Sequence, residues 1–217
     1  MPNTNWPTSK ELYMMNGGNK LYIYKDGFGD IYNATPEEER EWTKEIISND
    51  LAKLDTEENP TGLRFAVEGL LFHDYPSLEA LLIPKMEAAT PIRKIVLATA
   101  LWKIYKYKKS YEIIYRQYLQ EPKICLDDVF FALIEFKNNM EAFSFLLECL
   151  EGKDETLYSK AYTTITMWSY SGVPKLRDNE LLERLDLDSR FTKKFKPAVD
   201  ELKKIMFKKI TKDNEHV

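Results

Sequence analysis

The stretch LWKIYKYKKSYEIIYRQY, Leu101 to Tyr118, interleaves lysines with tyrosines. Cations for phosphates and rings for bases are what a nucleic-acid groove needs. The same letters also suit two helices and the turn between them. Ile92 to Lys123 carries eight bases against two acids, whereas Asp26 to Pro60 carries eleven acids against three bases. Each run is either a solvated helix face or a surface offered to an oppositely charged partner. The whole chain has a net charge of −4 and a pI of about 5.5, which counts against a dedicated nucleic-acid binder.

Other chemistry is sparse. No P-loop, GxGxxG, GxSxG or HExxH pattern is present. Cys125 and Cys149 have no His or Cys at ligand spacing, and His73 and His216 are isolated. No zinc site is expected, and both thiols read as small core groups. Asp26 and Asp30 flank glycines but lack the alternating ligands and closing Glu of an EF-hand loop. His73, in LLFHDYP, follows a helix end, where a cation complements the dipole. The expectation is a protein without catalytic residues, metal or cofactor.

The elements that must position any site are mostly helical. The chain has 217 residues, 44% hydrophobic and 30% charged, with only eight glycines. That is enough apolar surface to offset chain entropy and too little Gly for a turn-rich β fold. The segment MPNTNWPTSK has no apolar run of a signal peptide, and no stretch approaches the roughly 20 apolar residues of a membrane span. A cytoplasmic location is therefore expected. Residues 1–18 read as loosely held. KLYIYKDGFGDIYNA reads as a small β-hairpin, its Leu21–Tyr24 strand-prone and its Asp26-Gly27 a turn. Thr35-Pro36-Glu37-Glu38 is a helix start, with an N-cap, Pro in the first turn and a capping-box acid. That helix should run to about Leu54, with DTEENPTG as a linker.

From Thr61 the pattern becomes regular. Helices are expected at 62–72, 77–88, 91–106, 110–120, 126–137, 140–151 and 155–170, separated by short breaks that force antiparallel pairs. The pairs echo one another at steps of about 30 residues. Second members open Leu78-Glu79-Ala80-Leu81, Tyr111-Glu112-Ile113-Ile114 and Met140-Glu141-Ala142-Phe143. First members share Gly69-Leu70-Leu71, Ala100-Leu101-Trp102 and Ala132-Leu133-Ile134. In Pro91–Lys106 only a strip near Thr99, Lys103 and Lys106 is polar, as on a helix buried by neighbours on several sides. Asp178 can cap a short helix to Leu187. Phe191–Ile210 then places Phe195, Val199, Leu202, Ile205, Met206 and Phe207 on one face and lysines elsewhere, as a terminal cap would.

Over roughly Thr61 to Leu187 this pattern resembles the HEAT-like repeat family, with tetratricopeptide repeats as the competing assignment. The resemblance implies an all-α, right-handed α-solenoid of antiparallel helix pairs that binds other macromolecules. The organisation expected is an N-terminal extension at 1–34, a helical-repeat domain at 35–187 and a capping helix at 188–217. In HEAT-like arrays the second helices line the concave face.

On Ser110–Gln120, with Ser110 as N-cap, the stripe Tyr111, Ile114, Tyr115, Tyr118 should face the core. Glu112 and Arg116 can then pair at i, i+4. Ile113, Arg116, Gln117 and Gln120 look outward, with Glu79 on the earlier repeat and Glu141, Ser144 and Glu148 on the later one. Lys103 and Lys106 are added as basic candidates. A mixed-charge, tyrosine-rich face suits a protein partner. By analogy alone, a small acidic helical-repeat protein suits a plug for a toxin domain, as a bacterial antitoxin or immunity protein. The competing reading is a nucleic-acid-acting protein, glycosylase-like, using the basic segment 92–123.

Overall fold

The computed structural model describes residues 6–177 and 179–214, which form twelve α-helices, three short 3-10 turns and no strand. The chain divides into two compact units, Met1–Glu87 and Ala88–Val217.

The first unit contains α1 (Ser9–Met15), α2 (Lys20–Lys25), α3 (Pro36–Thr56), α4 (Pro60–Phe72) and α5 (Leu78–Ala88). α3 begins as its sequence dictates. Thr35 accepts from the Glu38 backbone N–H, the Glu38 carboxylate accepts from the Thr35 N–H at 2.8 Å, and Pro36 fills the first turn. α3 packs on α4 and α1. Leu12, Tyr13, Ile23 and Ile46 make the buried cluster there, with Trp42, Phe28 and Tyr32 against it. Tyr13 also meets the Thr43 hydroxyl at 2.9 Å.

Two expectations fail in this unit. The expected hairpin is helix α2, because Asn19 accepts from the Leu21 N–H and only Ile23 of the strand-prone run is buried. Leu21, Tyr22 and Tyr24 remain exposed, so period-2 burial never arises and β propensity finds no sheet to serve. Part of the N-terminal segment expected to be loose is also ordered. Thr8 and Glu11 close a capping box on α1, and the Gly17 carbonyl accepts from His73 Nε2 at 2.9 Å. His73 closes α4 and thus ties that end to the α1–α2 turn.

The second unit contains α6 (Pro91–Tyr105), α7 (Ser110–Gln120), α8 (Pro122–Leu133), α9 (Met140–Glu151), α10 (Glu155–Tyr170), α11 (Asn179–Arg184) and α12 (Phe195–Asn214). Asp178, the expected cap of α11, lies outside the described residues, as does His216. α8 packs between α6 and α10. Tyr115 of α7 meets Phe145 of α9 at 5.3 Å, and Phe143 of α9 meets Phe207 of α12 at 5.9 Å. α6 is buried along Ile95–Ala98 and at Leu101, as its all-round apolarity requires.

α8 starts four residues earlier than its apolar pattern suggested, since Pro122 opens it. The carbonyls at its last residue and in the 3-10 turn that follows, Ile134–Phe136, are met by its neighbours. Trp102 of α6 donates to Glu135 O at 2.9 Å and Trp168 of α10 donates to Leu133 O at 3.0 Å. α6 ends on Lys106 in a left-handed conformation (φ 56°), a position usually given to Gly.

Candidate functional site

α7 and α9 present their partly exposed sides to one shallow groove of about 380 Å³, lined by Tyr111, Glu112, Tyr115, Glu141, Ser144, Phe145 and Glu148. α9 explains half of it. Eight of its twelve positions turn inward or sideways, which leaves Glu141, Ser144, Glu148 and Glu151 as one exposed stripe. α7 supplies the aromatic half. Tyr111 stacks on Tyr115 at 5.8 Å, Tyr115 on Tyr118 at 6.1 Å, and Phe145 packs against Tyr115 and Tyr118 at 5.3 Å each.

The groove is acidic. Glu112 is neutralised by Arg116 at 2.6 Å. Among the described residues no cation lies within ion-pair distance of Glu141 or Glu148. Burial, then the charges of neighbours including Glu141 and Glu148, holds the Tyr111 phenol protonated well above its ordinary range. Burial pushes the nearby Cys149 thiol up to about 12, so it stays a thiol as well.

Four of the residues singled out in the sequence therefore meet in one groove: Glu112, Glu141, Ser144 and Glu148. The others do not line it. Arg116 is exposed beside Glu112, Gln120 is exposed and Ile113 is half-buried. Gln117 is a correction, being buried with its amide donating to Ile113 O at 3.3 Å. The buried stripe runs Ser110/Tyr111–Ile114–Gln117, so α7 is rotated from the orientation that Tyr115 and Tyr118 implied. The two rings are drawn half out to meet Phe145. Ser110 does not act as the N-cap. It is the first residue of α7, fully buried, with its hydroxyl unpartnered.

Lys103 is exposed, 3.9 Å from Glu135, and Lys106 is exposed with its ammonium 5.6 Å from the Trp102 ring. Glu79 is exposed on α5, in the first unit. Of the basic segment, Arg93 is buried and Arg116 is paired with Glu112.

Two further concavities went unread in the sequence. In the first unit, Met15, Tyr22, Phe65 and Phe72, all exposed, rim a cleft of about 700 Å³ that holds Asp50, Lys53 and Glu68. In the second unit, lysines of α12 border a cavity with the turn that follows α10. Their i, i+4 spacing was legible, but the turn across from them was not. No family model matches the chain, and no curated protein or solved structure matches it significantly.

Proposed function

We propose that the protein is a non-enzymatic, protein-binding helical-repeat module, whose α7–α9 groove receives a basic side chain of its partner. The observation that carries this reading is the juxtaposition of Glu141 and Glu148, which have no cation within ion-pair distance among the described residues, with the stacked rings of Tyr111 and Tyr115. A guanidinium or ammonium entering there finds carboxylates to pair with and ring faces to lie on. Arginine suits it best, being planar and weakly hydrated.

The HEAT-like α-solenoid, whose right hand comes from the resemblance alone, is our reading of which helices meet in the second unit. α6 meets α8 and α8 meets α10, while α7 meets α9 and α9 meets α12. Second helices then form the recognition face, with Glu112, Glu141, Ser144 and Glu148 on it. A cytoplasmic antitoxin or immunity role is one setting for such a face. A toxin domain with a basic active site is the kind of partner it would block.

The test is a photo-crosslinking residue at Ser144, with a control at Gln120, expressed in the native host. A discrete protein adduct at Ser144, absent at Gln120 and abolished by Glu141→Lys/Glu148→Lys, is the expected result. Equal labelling at both positions, or an adduct indifferent to the double charge reversal, refutes the groove. The rival nucleic-acid reading requires a 20-mer DNA or RNA to bind at low ionic strength and release steeply as salt rises.

A further inference from the structure

We infer that the cavity between α12 and the turn after α10 is a binding site for a small soluble ligand carrying clustered phosphates. The cavity has a volume of about 470 Å³ and is bordered by Lys175, Lys204, Lys208, Lys209 and Lys212, with Val173, Ile205 and Gly172 as its floor. This site is separate from the α7–α9 groove and does not depend on the protein-binding reading.

Both elements are held where they are by burial. α12 sinks Ala198, Val199, Leu202, Met206 and Ile210 into the second unit, which turns Lys204, Lys208 and Lys212 to one exposed row. Val173 and Leu176, both buried, pin the turn that carries Lys175. Gly172 has a φ of 125°, which an L side chain rarely adopts. The Lys137 ammonium stands beside it and donates to the Ser171 carbonyl. One carboxylate, Asp213, borders the cavity and is taken up by Lys209 at 2.6 Å. Among the described residues no carboxylate lies within ion-pair distance of Lys175, Lys204, Lys208 or Lys212. Like charges at i, i+4 repel one another, so the row stands at a cost that an anion would relieve.

The walls are largely apolar, made by Val173, Ile205 and the lysine stems, and the chemistry of the ligand follows from the ammoniums that end those stems. Lysine donates and cannot accept, so the complement must be rich in acceptors. Five ammoniums against one carboxylate leave four positive charges. Two or three phosphate groups, each about −1.5 to −2, balance them. Carboxylates would have to number four. On an extended peptide, same-face side chains recur every ~6.6 Å, so four span about 20 Å. Lys204 to Lys212 covers only about 12 Å of helix. The volume also lies in the range of small-molecule sites. The lining holds no ring for base stacking, which disfavours single-stranded nucleic acid.

Calorimetric titration with inorganic tripolyphosphate at low ionic strength tests the site. Saturable one-to-one binding is expected. Lys204→Gln/Lys208→Gln/Lys212→Gln should weaken it by about tenfold or more, because charge-assisted contacts are lost. Lys103→Gln/Lys106→Gln should leave it within about twofold, since those charges lie outside the cavity. An unchanged thermal transition of the apo variants shows that the fold is intact. No saturable binding, or equal loss in both variants, overturns the proposal. So does tighter binding of polyglutamate or single-stranded DNA. Phosphoinositide vesicles that bind without competition from tripolyphosphate also overturn it, in favour of a membrane headgroup.

Discussion

The two indoles that meet the end of α8 give the sharpest test of how the second unit is held. Trp168 is fully buried and donates to Leu133 O at 3.0 Å, whereas Trp102 is half-buried and donates to Glu135 O at 2.9 Å. Trp168→Phe removes the donor and leaves a buried carbonyl unpaired, a cost of about 1–3 kcal/mol. It also vacates roughly 40 Å³, which at ~24 cal/mol per Å³ adds about 1 kcal/mol. The sum is about 2–4 kcal/mol. At ~3 °C per kcal/mol for a chain of this size, thermal unfolding should fall by about 6–12 °C.

Trp102→Phe should cost no more than about 1 kcal/mol, because Trp102 and Glu135 are only half-buried and water there can replace the indole. Far-UV circular dichroism melts of both variants measure the contrast. Replacing Trp168 with benzothienylalanine, which keeps the shape and loses the donor, isolates the hydrogen bond. Equal effects of the two phenylalanine variants would refute the reasoning. So would a benzothienylalanine protein as stable as the parent.

Three other outcomes are expected. Lys106→Gly should raise stability by about 0.5–1 kcal/mol in denaturant titration, since glycine takes the left-handed C-cap of α6 without strain. Destabilisation would mean that the Lys106–Trp102 contact outweighs the strain. Burial raises the Asp50 carboxyl above its ordinary value, with Lys53 opposing. A raised folded-state pKa means that the ionised form burdens the fold at neutral pH and that protonation on acidification relieves it. Asp50→Asn should therefore be more stable than the parent at neutral pH, with the gap narrowing as pH falls. A gap that widens on acidification contradicts the assignment. Finally, burial raises both thiols, Cys149 to about 12, and shields both. Neither should react with a disulfide reagent in the native protein at mildly alkaline pH, and both should react in denaturant. Rapid native labelling of either would place it at the surface.

Much of the helical framework was legible because its signals are local. Thr35 and Glu38 close the capping box that their spacing announces, the bounds of α7 follow its apolar period, and those of α9 and α10 follow period and caps. α2 was misread because Leu21–Tyr24 carries strand propensity without a sheet to join. Propensity of that kind reports a fit to neighbours and not a backbone preference. In the candidate groove, Glu141, Ser144 and Glu148 were legible because α9 has an unambiguous polar stripe. Gln117 was not, since two tyrosines on α7 competed for the same side.

By itself, then, the sequence determined most of the helices, several of their ends and the polar stripe of α9. Those properties depend on residues within a turn or two of one another. Tertiary structure alone decided how far α7 turns about its axis and which neighbours donate to the end of α8. It also decided that Lys175, on a separate turn, joins the lysine row of α12. These depend on contacts between residues some 30 or more positions apart. Such contacts are set by the shapes of packed side chains, and no local period encodes them.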